Sequence, residues 1–163
     1  MYRDVYSGRW KLDGKEHEST IRAANNYAAI LVQLQRFDEA KSVLRKAVPV
    51  ARRVLGEEHL LTLKMRKGYA RALYEDNGAT LDDLREAVTT LEDTERISRR
   101  VFGGAHPMTG AIGGELQKAR VVLRDRRNAE LRAAVKDDPS SLSADDRARA
   151  EQLKASPREH LSK

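Results

Sequence analysis

The string Gly-x-x-His-x-x-Thr occurs at Gly14-His17-Thr20, at Gly56-His59-Thr62 and at Gly103-His106-Thr109. Gly14 and Gly56 lie 42 residues apart, and Gly56 and Gly103 lie 47 apart. A short motif returning at this interval marks a repeat array. Each period is one supersecondary unit that buries its apolar face only against the next. A chain of 163 residues holds three to four such helical hairpins. Arrays of this kind build extended binding surfaces and seldom build active sites.

The unit from Gly14 to Leu55 shows the pattern best. Ser19 and Thr20 stand where a helix begins, with hydroxyls able to cap free backbone N–H groups. Ala24, Tyr27, Ala28 and Leu31 then form the i, i+3, i+4, i+7 stripe of a half-buried helix. Gln35-Arg36-Phe37-Asp38 makes a turn, and a second stripe follows at Ala40, Val43, Leu44, Ala47, Val48, Ala51 and Val54-Leu55. Gly56 is expected to end that helix in a left-handed conformation, while Pro49 is expected to bend it.

The unit from Gly56 to Phe102 repeats both stripes, through Leu63, Tyr69, Ala70 and Leu73 and then Leu84, Ala87, Val88, Leu91, Ile97 and Val101. Its extra residues fall at Asp76-Asn77-Gly78-Ala79-Thr80, a turn-rich insertion between the helices. From Gly103 a single terminal helix is expected to about Val135, opened by Pro107 and turning Ile112, Leu116, Ala119 and Leu123 inward.

The expected organisation is therefore a repeat array over 1–137. It comprises a partial unit at 1–13, units at 14–55 and 56–102, and a terminal helix at 103–137. A polar tail at 138–163, partly helical or disordered, follows Asp137-Asp138-Pro139. Residues 1–13 align with the second helix of a unit, so Tyr2, Val5, Tyr6 and Trp10 read as core facing an absent helix. Truncation, or self-association through that half-repeat, follows as an expectation.

Helix-forming residues dominate, aromatics make up 5 %, and no stretch alternates as a strand would, so the fold class is all-α. The chain has no cysteine, which excludes disulfides and thiolate metal sites. No apolar run approaches the roughly 20 residues of a membrane span, and the start has no signal-peptide character. A cytoplasmic protein is the expectation. The net charge of +6 fits either a nucleic-acid surface or a helical protein laced with ion pairs. Apolar core positions interrupt the densest basic cluster, Arg96, Arg99 and Arg100, which favours the second.

Three segments resemble the tetratricopeptide repeats of the kinesin light chain type: Asn25-Asn26-Tyr27-Ala28, Arg36-Phe37-Asp38-Glu39-Ala40 and Arg52-Arg53-Val54-Leu55-Gly56-Glu57-Glu58-His59. That family has 42-residue units, a Gly-x-x-His-Pro boundary and an Asn-Asn-Leu-Ala segment in the first helix. The similarity covers roughly residues 1 to 125 and is strongest in the first full unit. Lys67-Gly68 and Gly114-Glu115 replace the asparagine pair in the later units, and His-Pro is kept only at His106-Pro107. The resemblance implies a right-handed solenoid of antiparallel helix hairpins whose first helices line a concave groove. It also implies an adaptor in which an asparagine at this place grips the backbone of a cargo peptide.

Counting round the first helices puts Arg22, Asn25, Ala29 and Gln33 on the groove side of one unit. Lys64, Lys67 and Arg71 take the same side in the next unit, with Tyr74 and Glu75 lower down, and Lys118 in the third. Cations from neighbouring helices then face one trough, so an extended acidic peptide is the expected partner. Asn25 or Asn26 offers its backbone a donor and an acceptor together.

The rival reading is a basic helical-repeat module for RNA. It lacks a repeated stacking aromatic, because Tyr27 and Tyr69 point into the core, and so nucleic acid is not the expected partner. His17, His59 and His106 stand one repeat apart, too far for a shared metal, and read with Gly14, Thr20, Gly56, Thr62, Gly103 and Thr109 as structural boundary residues. No phosphate loop, nucleophile elbow or kinase signature is present, and Asp82-Asp83 and Asp145-Asp146 read as helix N-terminal acids. No catalytic residue, metal or cofactor is expected.

Overall fold

The computed structural model describes residues 2–14, 16–137 and 142–155, with backbone alone at 2, 5, 6, 10, 11, 13, 154 and 155. These residues form α1 (Tyr2–Asp13), α2 (Glu18–Gln33), α3 (Phe37–Leu55), α4 (Leu60–Tyr74), α5 (Leu81–Phe102), α6 (Pro107–Asp137) and α7 (Ala144–Ala155). No strand occurs among them. The side chains of Tyr2, Val5, Tyr6 and Trp10, on which the exposed-edge expectation rests, lie outside the described residues, as do 138–141 and 156–163 of the expected tail. The chain divides into two compact units, Met1–Val121 and Val122–Lys163, and α6 contributes residues to both.

In the first unit α2 pairs with α3 and α4 pairs with α5. Further contacts of α3 with α4, α2 with α4 and α1 with α2 make a continuous stack of helical hairpins. The stripes explain it. Leu31, Leu44, Leu63, Leu73, Leu84 and Leu91 are all at most 2 % exposed. Each contributes about 1.5–3 kcal/mol of burial. Ala40 and Ala72 are sealed completely and let their helices approach Tyr27, Leu31 and Val32 closely, with Phe37 and Val43 packed at the edge. α3 continues past Pro49 to Leu55 as one helix.

The recurring motif is a junction built from three residues. Its glycine ends the preceding helix: the Gly56 N–H donates to the Arg52 carbonyl and the Gly103 N–H to that of Arg99. The expected left-handed geometry is only half met. Gly56 has φ 94° and ψ 159°, and Gly103 has φ 86° and ψ 164°. This positive-φ, extended-ψ region is one that glycine alone enters readily.

The capping expectation is corrected outright. His17, not Ser19 or Thr20, caps α2, its Nδ1 accepting the Ser19 N–H at 3.2 Å. His59 receives the Leu61 N–H at 3.2 Å and His106 receives the Met108 N–H at 3.1 Å in the same way. An imidazole two residues ahead of an orphan amide does what a serine oxygen does elsewhere.

The motif threonine is core. Thr20, Thr62 and Thr109 are all at most 2 % exposed. The Thr109 hydroxyl shares a 2.8 Å hydrogen bond with that of Ser98, whereas Thr20 and Thr62 have no hydroxyl partner among the described residues.

Exposed ion pairs recur with the period. Arg53 reaches Glu16 at 2.5 Å, and Arg100 reaches Glu58 at 2.6 Å. Arg66 stands ten residues past its boundary glycine, where the first unit has Ala24. It is nonetheless buried, with its guanidinium 4.0 Å from Glu57 and 3.9 Å from Asp93, and desolvation lowers its pKa. The insertion Asp76–Thr80 is anchored at both ends. The Asp76 carboxylate takes the Gly78 N–H at 2.9 Å and Lys41 at 2.8 Å, while Thr80 and Asp83 form a capping box on α5.

In the second unit Ser143 caps α7 by accepting the Asp146 N–H at 3.1 Å, and Arg149 donates to the Asn128 side chain at 3.4 Å.

Candidate functional site

The first helix of each hairpin buries one face against its own partner helix. The other face of α2 lies beside that of α4, and between them runs a trough of about 250 Å³. Asn25, Ala28, Ala29, Val32 and Gln33 of α2 form one wall and Lys64, Lys67, Gly68 and Arg71 of α4 the other. Leu44 of α3 forms the floor and Met108 of α6 one end. The stripe of α2 places these residues, since Asn25, Ala29 and Gln33 follow at four-residue steps. Lys64, Lys67 and Arg71 follow at steps of three and four on α4.

The remaining expected groove residues stand apart. Arg22 is exposed and bonded to Glu18 one turn back. Asn26 is exposed and accepts a 3.3 Å hydrogen bond from the Asn25 amide. Lys118 pairs with Glu115 at 3.3 Å and does not line the trough. Tyr74, expected lower in the groove, is buried, and its hydroxyl donates to Glu115 on α6. Burial first, and then that carboxylate, push its phenol far up.

Charge is distributed unevenly over the walls. Arg71 is neutralised by Glu75 at 2.8 Å, a hydrogen bond that raises its pKa. Lys64 and Lys67 have no carboxylate within ion-pair distance among the described residues. Two cations thus project beside the amide groups of Asn25 and Gln33, over an aliphatic floor. The arrangement offers charge, amide donors and acceptors, and apolar contact in one strip. It has no nucleophile–base pair, and no group of three or more His, Cys, Asp or Glu capable of holding a metal occurs among the described residues. Nor is any helix among them long and apolar enough to cross a membrane.

Counting polar positions overlooked the floor. Leu44 reads as ordinary core, and it lines the groove beside Gly68, which has no side chain to stand over it. The signal available was a lone glycine in mid-helix, at the place of Asn26 in the first unit.

Residues 19–80 match the family model of the tetratricopeptide repeat. The matched stretch covers α2, α3 and α4 and both walls of the trough, and this part of the chain is similar to tetratricopeptide repeats. Repeats of this family generally mediate protein–protein interaction, which supports a scaffold role for the matched stretch. No curated protein matches the chain.

Proposed function

We propose that the chain is a non-catalytic scaffold that holds an extended acidic peptide across α2 and α4, as an adaptor of the kinesin light chain type. The observation that carries this reading is the pair of unneutralised ammonium groups, Lys64 and Lys67, beside the Asn25 amide in one trough. An acidic segment lying there exchanges its carboxylates' water for two cations, while Asn25 and Gln33 meet its peptide groups. Arg71, already paired, contributes shape more than charge.

The test is titration of the full chain with blocked acidic peptides, alongside single-stranded RNA, over a salt series. Acidic peptides should bind, and Lys67→Glu should weaken them by roughly tenfold or more through loss of one contact and gain of a repulsion. Tight RNA binding with a steep salt slope, together with no peptide binding, would reverse the assignment.

A further inference from the structure

Gly68 lies inside α4 with an ordinary backbone conformation, and no turn or tight approach calls for glycine there. A Cβ built on it would stand 3.7 Å from Leu44 Cδ1, which is plain van der Waals contact, so alanine fits. Mid-helix glycine weakens a helix relative to alanine. The chain therefore carries a local cost for which its own packing provides no reason. What the missing side chain does provide is access: without it, Leu44 of the second layer becomes part of the trough surface, next to Ala28 and Val32.

We infer that Gly68 is the specificity-determining aperture of the groove, admitting one compact aliphatic side chain of the bound peptide onto Leu44. The inference rests on the acidic-peptide reading and names the residue that this reading leaves undefined. Ala28, Val32 and Leu44 make the lining beside Gly68 aliphatic, and the side chain omitted there is small, which favours valine or leucine over an indole. Lys64 and Lys67 stand on the same wall, one turn and one residue before Gly68, so carboxylates flanking the aliphatic residue meet the two free cations. The ligand class is an acidic segment interrupted by one aliphatic residue.

The experiment uses the full chain and end-blocked peptides Glu-Asp-X-Asp-Glu with X leucine, glycine or tryptophan, read by calorimetry. The leucine peptide should bind roughly tenfold tighter than the glycine peptide, the scale expected for burying a few methylenes. Gly68→Ala should raise Tm by roughly 2–4 °C while shrinking that ratio severalfold, two effects of opposite sign that misfolding cannot mimic. Gly68→Met, whose flexible chain covers Leu44 itself, should erase the ratio.

Equal binding of the leucine and glycine peptides, with Lys67→Glu still weakening both, overturns the aperture and leaves the acidic groove standing. Preference for tryptophan over leucine, or equal weakening of both peptides by Gly68→Ala, also overturns it. Failure of every peptide to bind removes the aperture and the groove together.

Discussion

Ser98 and Ala51 occupy the same place in successive units, each five residues before its boundary glycine. Ser98 is completely buried and bonds Thr109 across 2.8 Å; Ala51 is also completely buried, and Thr62, the counterpart of Thr109, has an unpartnered hydroxyl. Ala51→Ser should transplant the missing bond. A net hydrogen bond is worth about 0.5–1.5 kcal/mol, and an orphaned buried hydroxyl costs about 1–3 kcal/mol. Against this stand the weaker helix propensity of serine, about 0.5 kcal/mol, and the space for one oxygen. The expected gain is about 1 kcal/mol, or a Tm increase of about 2–4 °C for a chain of this size.

Urea midpoints of Ala51→Ser, Thr62→Val and the double variant form a cycle that isolates the new bond. Coupling of about 1 kcal/mol is expected, and Ser98→Ala should lose about 1–3 kcal/mol by stranding Thr109. If Ala51→Ser lowers the midpoint and the coupling lies within about 0.3 kcal/mol of zero, the two junctions are not equivalent and the reasoning fails.

The junctions carry further expectations. His59→Ala should cost about 1 kcal/mol of stability in urea titration, whereas His59→Asn, which restores a side-chain acceptor at the N-cap, should be nearly neutral. Gly103→Ala should cost about 1–3 kcal/mol, because φ 86° with ψ 164° admits no Cβ comfortably; calorimetric unfolding reads it directly. Hydrogen bonds from Lys41 to Asp76 and from Thr80 to Asp83 hold both carboxyls below their ordinary value of 3.8. Their contribution is therefore present above that value and is lost as pH falls through the lowered one. Between about pH 5 and 2, Asp76→Asn with Asp83→Asn should flatten the decline of the urea midpoint; an unchanged slope would show that neither carboxyl takes part.

The fold could be read from the sequence because two independent periods agreed. The glycine–histidine–threonine motif set the unit length, and the apolar stripes at Ala24–Leu31 and Leu63–Leu73 set which face of each helix is inside. Lys64, Lys67 and Asn25 followed from the same geometry, since the face opposite a buried stripe is fixed once the helix is. Arg66 escaped, because an arginine at a core position contradicts its own chemistry until Glu57 and Asp93 are seen to approach it from other segments. The capping histidines were misread for a related reason: the side-chain preferences of helix starts favour Ser19, and only the extended backbone at His17 shows which residue precedes the first turn. Leu44 was legible as core, but its part in the trough lining escaped, because that depends on what Gly68 lacks, and an absent side chain leaves no periodic mark.

A ring nitrogen that receives an amide proton cannot hold one of its own. At His17, His59 and His106 the receiving atom is Nδ1, so each neutral imidazole carries its hydrogen on Nε2. The repetition of this chain thus extends to one choice of tautomer, made alike at three junctions. Nitrogen chemical shifts of the three rings should accordingly show the same Nε2–H form.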